Sequence, residues 1–543
     1  MPAPAQAVLF FFYALHYMLM TSVLLPRIYL LKLMLPVFLI AASGALQTHA
    51  QQLPDGLDSY IEDGMADWEI PGLSIAVVQK DELIYARGFG VQKLDEALSR
   101  AVDEHTLFGI ASVSKAFTAT AMAMLVEEGT LDWDDPITDY LPDFRLYDPY
   151  ITAHLSIRDA LSHRSGLGRM TGNRIEFMPN RPREALLHQM RYMQPEAPFR
   201  QEYVYSNMMY MVAGEVIRAV SGKSWDDFIY SRIFEPLDMN RSNTSITEIP
   251  DDERNAAWPH QYIKGEVLPI PRRNFDNVGA SASINSTARD ISRWMRFHLG
   301  TPGTLEGQQV MSADALSEIY QPVTPLPNSD REQGLRSYAM GWTAGSWNGR
   351  TIYRHGGATD GMNTNLILIP EEEVGIFITT NTFNRFMHAL GRTLKDFYTG
   401  GEAQDWHQEF LSSYETQLEN ALSYREEVHD ARIEDAPASH DLTAYVGRYH
   451  DDLYDVAEVR MGEDGLELHF WDDETQVADL EHWHHDTFRA SWRNPAKREK
   501  FVWFQMGHDG QPERLNVTFT LRPLLLQAGL YPTNYYRVVE YSR

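Results

Sequence analysis

Between Ser112 and Glu128 the chain offers almost no polar face: Phe117, Ala119, Ala121, Met122, Ala123, Met124, Leu125 and Val126 follow one another with little interruption. A helix that is apolar all round has to be enclosed by protein. That segment therefore requires a core with structure on every side of it. Strand patterns surround it in sequence. Gly72–Val78 and Glu82–Gly90 read as two short strands around the turn Lys80-Asp81, and Leu366–Ile369 with Val374–Thr379 as an antiparallel hairpin across Pro370-Glu-Glu-Glu. Helical and strand patterns alternate from about residue 53 to residue 400. At 543 residues the chain is too long for one compact core, so a second domain is expected.

The pattern changes after residue 400. Residues 401–441 hold a charged, amphipathic stretch at 403–430, read as a closing helix, and then a linker, ARIEDAPASHD, at 431–441. From residue 442 to 543 come short β-type runs: Ala444–Tyr449, Val456–Met461, Leu466–Phe470, Thr487–Trp492, Phe501–Met506, Leu515–Phe519 and Tyr535–Tyr541. Turn residues separate them, so this is a small all-β module, barrel or sandwich.

Composition excludes several functions. Forty-seven basic residues against 75 acidic ones give a net charge of −28. A body so acidic repels phosphate backbones, and no nucleic-acid partner is expected. The absence of cysteine removes disulfides, thiolate nucleophiles, Cys-ligated zinc and iron–sulfur clusters. His482-Trp483-His484-His485 can put two imidazoles on one strand face, but no third ligand accompanies them, so no metal site is expected. In residues 1–50 the only charges are Arg27 and Lys32. Lys32, the apolar run Leu33–Leu46 and the small residues ending at Ala50 read as a secretory signal, which implies a periplasmic or secreted protein. The alternative is an uncleaved anchor in the inner membrane.

Chemistry concentrates in three short motifs. Ser112-Val-Ser-Lys115 sets a hydroxyl and an amine one helical turn apart, where the amine can take the hydroxyl proton. Tyr205-Ser-Asn207 adds a phenol that can move a proton and an amide that can bind a carbonyl or the lysine. His355-Gly356-Gly357 adds a strand along which a substrate backbone can lie close.

In that order the motifs resemble those of penicillin-recognising serine hydrolases. The likeness is to the branch with class C β-lactamases, D-aminopeptidases, D,D-carboxypeptidases and related esterases, peptidase family S12. Leu131-Asp-Trp-Asp-Asp-Pro136, Leu161-Ser-His-Arg-Ser-Gly-Leu167, Ser286-Thr-Ala-Arg-Asp290, Tyr338-Ala-Met-Gly-Trp342 and Thr380-Asn381 are similar to its phrases and fall in its order. The resemblance spans about residues 55–395. It implies an α+β fold: an antiparallel sheet flanked by helices, an all-helical subdomain, and a site in the cleft between them. It also implies roles. Ser112 is the nucleophile, Lys115 and Tyr205 share base and acid work, and Asn207 and His355 orient substrate. The N–H groups of Ser112 and Ala358, the latter just after Gly356 and Gly357, form the oxyanion hole. No cofactor is implied. The substrate is a small molecule or short peptide, and the optimum is neutral to alkaline.

One departure narrows the reading. β-Lactamases carry Lys-Thr-Gly or Lys-Ser-Gly where this chain has His355-Gly356-Gly357, which looks more like the peptidase and esterase members. Cleavage of amide or ester bonds through an acyl-enzyme is expected. The alternatives are a β-lactamase or penicillin-binding protein with little turnover, and an acyltransferase using the same acyl-enzyme. Leu442-Thr-Ala-Tyr-Val-Gly-Arg-Tyr449 resembles the opening of lipocalin-like modules appended to some relatives.

Overall fold

The computed structural model describes residues 53–542, apart from 95–99, 169–180, 251–252, 264, 328–333, 472–473, 495–496, 498–499 and 521–535. The secretory or anchoring segment read at residues 1–50 lies outside the described residues. Among the described residues, no helix is long and apolar enough to cross a membrane.

An eight-stranded antiparallel sheet organises the first domain. Its order is Glu82–Gly90, Gly72–Gln79, Val374–Thr380, Met362–Ile369, Arg350–Thr359, Thr343–Trp347, Ser337–Tyr338 and Thr324–Pro325. The first hairpin turns at Lys80 and Asp81, both in left-handed backbone at φ 50° and 61°, the turn whose twist suits a two-residue hairpin. Every residue of Gly72–Gln79 is buried: a second strand, Val374–Thr380, pairs along its other edge, and its side chains are covered on both faces of the sheet. The chain's early hairpin is thus fixed by strands some three hundred residues later.

Helices cover both faces. A Cβ added at Gly375 would meet Met295 of the Ala288–Leu299 helix. Gly391, in the Phe386–Thr399 helix, sits against Ile367 and Ile378. Residues 375 and 378 point to opposite faces of one strand, so the two helices lie on opposite sides of the sheet.

The apolar segment is enclosed as its composition requires. Ala111–Val113 is a 3₁₀ turn, and Ser114–Glu127 continues as an α-helix buried from Ser114 through Leu125. Most of its polar side chains find partners inside the protein, though the buried Thr120 hydroxyl has none among the described residues. Thr118 donates to the Ala280 carbonyl at 2.7 Å and accepts from the Trp225 indole at 3.0 Å. The Asn207–Ser221 and Gly279–Ala282 helices complete this helical layer.

A 25-residue helix, Trp406–Asp430, leads to the second domain, a closed barrel of eight strands. The barrel, rather than a sandwich, is the form taken by the β-rich C-terminal region. It closes through Gly447–Asp451 and Tyr536–Ser542. One of its strands, Val477–His484, was absent from the sequence-predicted runs except for its end at His482 and His484. The interior is packed: Tyr445, Tyr449, Phe470, Phe488, Phe504 and Tyr541 are all buried within it. His482 and His484 lie half-buried on the Val477–His484 strand. His482 Nε2 faces the His485 carbonyl at 2.8 Å, and His484 Nδ1 accepts from the Ile433 N–H at 3.1 Å.

Candidate active site

The site forms where the 3₁₀ turn meets the Arg350–Thr359 strand, here called the cleft strand. Ala111, one residue before Ser112, is in left-handed backbone at φ 54°. For a residue with a Cβ this conformation is disfavoured by about 1–2 kcal/mol, so the surroundings must hold it. Ser114 does part of that. Its hydroxyl donates to the Ala111 carbonyl at 2.6 Å and accepts from the Ile284 N–H at 3.2 Å. The chain therefore bends sharply just before Ser112, which is left half-exposed beside a buried helix.

Three groups from distant segments meet at Ser112. Lys115 Nζ donates to Ser112 Oγ at 3.2 Å, to Asn207 Oδ1 at 2.8 Å and to the Ser281 carbonyl at 2.8 Å. The Tyr205 hydroxyl donates to Ser112 Oγ at 3.0 Å. Lys115 is fully buried, and its ammonium lies 4.8 Å from the Tyr205 ring centre and 5.3 Å from that of Tyr210. A buried amine needs such partners to carry charge, and the carbonyl dipoles and ring faces supply them.

The cleft strand presses against the 3₁₀ turn. A Cβ built at Gly357 would lie 2.1 Å from the Ile110 carbonyl oxygen and 3.0 Å from the Ser112 nitrogen. Only glycine permits that approach, and it brings the strand segment holding Ala358 alongside the Ser112 N–H. Gly356 is not constrained in this way: its nearest neighbour is the Thr364 carbonyl oxygen at 3.5 Å. Thr343–Trp347 pairs with the cleft strand only as far as Arg354. Among the described residues, no strand covers His355–Thr359 on that side, and Gly356 and Ala358 are exposed. An open edge beside a nucleophile can receive an extended substrate by strand addition.

His355 reaches the cleft strand but is turned to another partner. Its Nε2 accepts from the Tyr338 hydroxyl at 2.9 Å, and its Nδ1 donates to the Gly356 carbonyl at 2.7 Å. One neutral tautomer satisfies both contacts. Burial, and then the neighbouring phenols of Tyr210, Tyr205 and Tyr203, hold the Tyr338 hydroxyl well above its ordinary pKa, so it stays a donor. In this arrangement the imidazole offers its surroundings no permanent cation.

Behind Tyr205 stands a residue to which sequence reasoning assigned no role. His163 is fully buried with φ 58°, and its Nδ1 accepts from the Ser206 N–H at 3.1 Å. Its ring centre lies 4.3 Å from that of Tyr205 and 4.5 Å from that of Tyr338. The loop that carries it is fixed by the buried carboxylate of Asp159, which binds Arg164 and Arg200. The available signal was its place in Leu161–Leu167, just as Tyr338 opens Tyr338–Trp342. The Ser281 carbonyl is backbone and left no trace in residue type.

A serine hydroxyl hydrogen-bonded by an amine and a phenol, beside an open sheet edge, defines a serine-hydrolase type of site. The chain belongs to the beta-lactamase family, whose model matches residues 57–398. A domain of unknown function, DUF3471, matches residues 431–528. An unguisins hydrolase from Aspergillus campestris is 30% identical over 325 residues, 58% of this chain and 59% of that protein. The chain thus spans less than two thirds of that relative's length. An unguisins hydrolase from Aspergillus violaceofuscus is 26% identical, covering 74% of this chain and 76% of its own. The fold is shared with the octameric penicillin-binding protein homologue from Pyrococcus abyssi, with a TM-score of 0.57 and 21% identity over 85% of this chain and 97% of that one. It is shared also with SurE, with a TM-score of 0.53 and 19% identity over 85% and 96%.

Proposed function

We propose that the protein hydrolyses amide or ester bonds, as a D-peptidase or esterase, through an acyl-enzyme on Ser112. The observation that carries this reading is the double contact on one oxygen: Lys115 Nζ and the Tyr205 hydroxyl both lie within hydrogen-bond distance of Ser112 Oγ. Ser112 Oγ attacks the substrate carbonyl, and its proton passes to the Lys115–Tyr205 pair with one of the two in its basic form. The oxyanion sits between the Ser112 and Ala358 N–H groups, and Asn207 steadies Lys115. Tyr205 returns the proton to the departing amine or alcohol as the bond to the carbonyl carbon breaks. Water then attacks the acyl-Ser112 ester. It gives its proton back through the same pair, and the acid leaves with Ser112 restored.

Two observations favour this over β-lactam hydrolysis and over acyl transfer. His355 stands where β-lactamases carry a lysine and is engaged by the Tyr338 hydroxyl, so the permanent cation that receives a β-lactam carboxylate is replaced. Two relatives carry hydrolase in their names. In this reading the N-terminal apolar run directs secretion, and N-terminal sequencing of the exported protein tests that part. The function is tested by assaying wild type and Ser112→Ala on nitrophenyl esters, D-alanyl anilides and nitrocefin. Turnover of esters or D-anilides by wild type alone supports it. Equal turnover by both proteins, or nitrocefin as the preferred substrate, overturns it.

A further inference from the structure

A depression open to solvent lies at the far end of the cleft strand. Its walls continue the segments that build the site. Gly109 stands three residues before Ser112, Ser283 two residues after Ser281, and Thr359 directly after Ala358. The floor is apolar, with Leu107, Ile249 and Met362. Two guanidinium groups line it. Arg272 is held by the Ala256 and Ala257 carbonyls at 3.0–3.3 Å and rests on the Trp258 ring. Arg273 lies over the Phe275 ring and pairs at 3.1 Å with Asp360, a half-exposed carboxylate at the rim. Among the described residues of the wall, two cations thus face one carboxylate.

The position of this depression decides which part of a substrate enters it. From His355 to Thr359 the cleft strand advances roughly 13 Å, at about 3.3 Å per residue. The His355 end is covered by Tyr338, against which His163 and then Tyr205 pack. Gly357, in the middle, lies against Ser112. A carbonyl held at Ser112 therefore has Tyr205 on one side and the depression on the other. Tyr205 protonates the leaving group, so the leaving group departs on its side. The acyl substituent extends toward Thr359.

We infer that this pocket selects acyl groups in which an apolar stem ends in a carboxylate, the stem lying on Leu107 and Met362 and the carboxylate meeting Arg273 and Arg272. This rests on the acyl-enzyme reading above. Asp360 competes with the incoming carboxylate for Arg273 and keeps the guanidinium in place when the pocket is empty.

The test compares two p-nitrophenyl esters of equal chain length on the full-length protein: the monoester of glutaric acid and the valerate. Wild type should favour the glutarate in kcat/KM by about tenfold or more, since a charge-assisted contact of this kind is worth about that factor. Arg273→Gln should lower the ratio several-fold, Arg272 remaining, and Asp360→Asn should raise it, because the competing carboxylate is gone. A wild-type ratio at or below one overturns the inference while leaving the acyl-enzyme intact, and so does a ratio that neither variant moves. If neither ester is turned over and Ser112 takes no acyl group, the acyl-enzyme reading fails and this inference fails with it.

Discussion

The two adjacent glycines of the cleft strand are chemically identical and structurally opposite, which makes them a matched pair of perturbations. In Gly357→Ala the new Cβ would stand 2.1 Å from the Ile110 carbonyl oxygen, about 0.9 Å inside the 3.0 Å that real Cβ atoms respect. The obstacle is backbone on both sides, so no side chain can swing away. The strand must retreat from the 3₁₀ turn by about 1 Å. That shift takes the Ala358 N–H away from the Ser112 N–H and opens the oxyanion hole. Loss of one such donor lowers kcat by roughly 10²–10³, or about 2.7–4 kcal/mol of transition-state stabilisation. In Gly356→Ala the nearest atom is at 3.5 Å, ordinary contact, and the residue faces solvent. Steady-state kinetics on a nitrophenyl ester, with a thermal melt to confirm folding, should give at least a hundredfold loss in kcat for Gly357→Ala. Gly356→Ala should stay within a few-fold of wild type. Equal losses for the two variants, or a Gly357→Ala enzyme as active as wild type, would refute the argument from close approach.

Other consequences follow from named contacts. Tyr205→Phe removes the hydroxyl that touches Ser112 Oγ, and kcat should fall by roughly 10²–10⁴ with the melting temperature nearly unchanged. Asp159→Ala strips the buried carboxylate from Arg164 and Arg200, both of which keep access to water, and denaturant titration should show a loss of about 1.5–3 kcal/mol. Acid should destabilise the fold through the buried imidazoles of His260 and His298 and the half-buried one of His388. Burial pushes His298 and His388 down to about 3 and His260 to about 4, with Arg354 and Arg385 adding to the shift at His388. Below pH 6.5 and down to about pH 4 the unfolded chain binds protons that the folded one refuses, so stability falls as pH falls. The contribution is up to roughly 1.4 kcal/mol per pH unit for each histidine. Denaturation midpoints at pH 7, 6 and 5 measure it, and His298→Gln should flatten the dependence.

Local rules made part of this architecture legible. Lys80-Asp81 announced a hairpin because a two-residue loop between apolar runs leaves few other options, and the all-apolar helix announced its own burial. Long-range pairing was not legible. Nothing in Gly72–Gln79 names Val374–Thr380 as its neighbour, since register depends on what remains after every other strand has paired. Only the end of the strand Val477–His484 was read, through the alternation of His482 and His484; its start was missed because Asp479 and Glu481 dilute its apolar count, although Leu480 and Trp483 are buried. At the site, Ser112, Lys115 and Tyr205 were readable from their motifs and order, and the structure brings all three to one oxygen. His355 was read as facing substrate. Tyr338 was legible as the opening of Tyr338–Trp342, but that its hydroxyl meets His355, 17 residues on, is a tertiary contact that neither motif states. The Ser281 carbonyl and the left-handed Ala111 are backbone properties, which side-chain identity does not report.

The central claim is that Ser112 becomes acylated because Lys115 and Tyr205 converge on its hydroxyl. A fluorophosphonate probe, followed by intact mass and peptide mapping, measures this directly. One adduct per chain on the peptide bearing Ser112, absent in Ser112→Ala and slowed in Tyr205→Phe, is the outcome the convergence requires. An adduct on any other residue, or ester turnover that persists in Ser112→Ala, would contradict it.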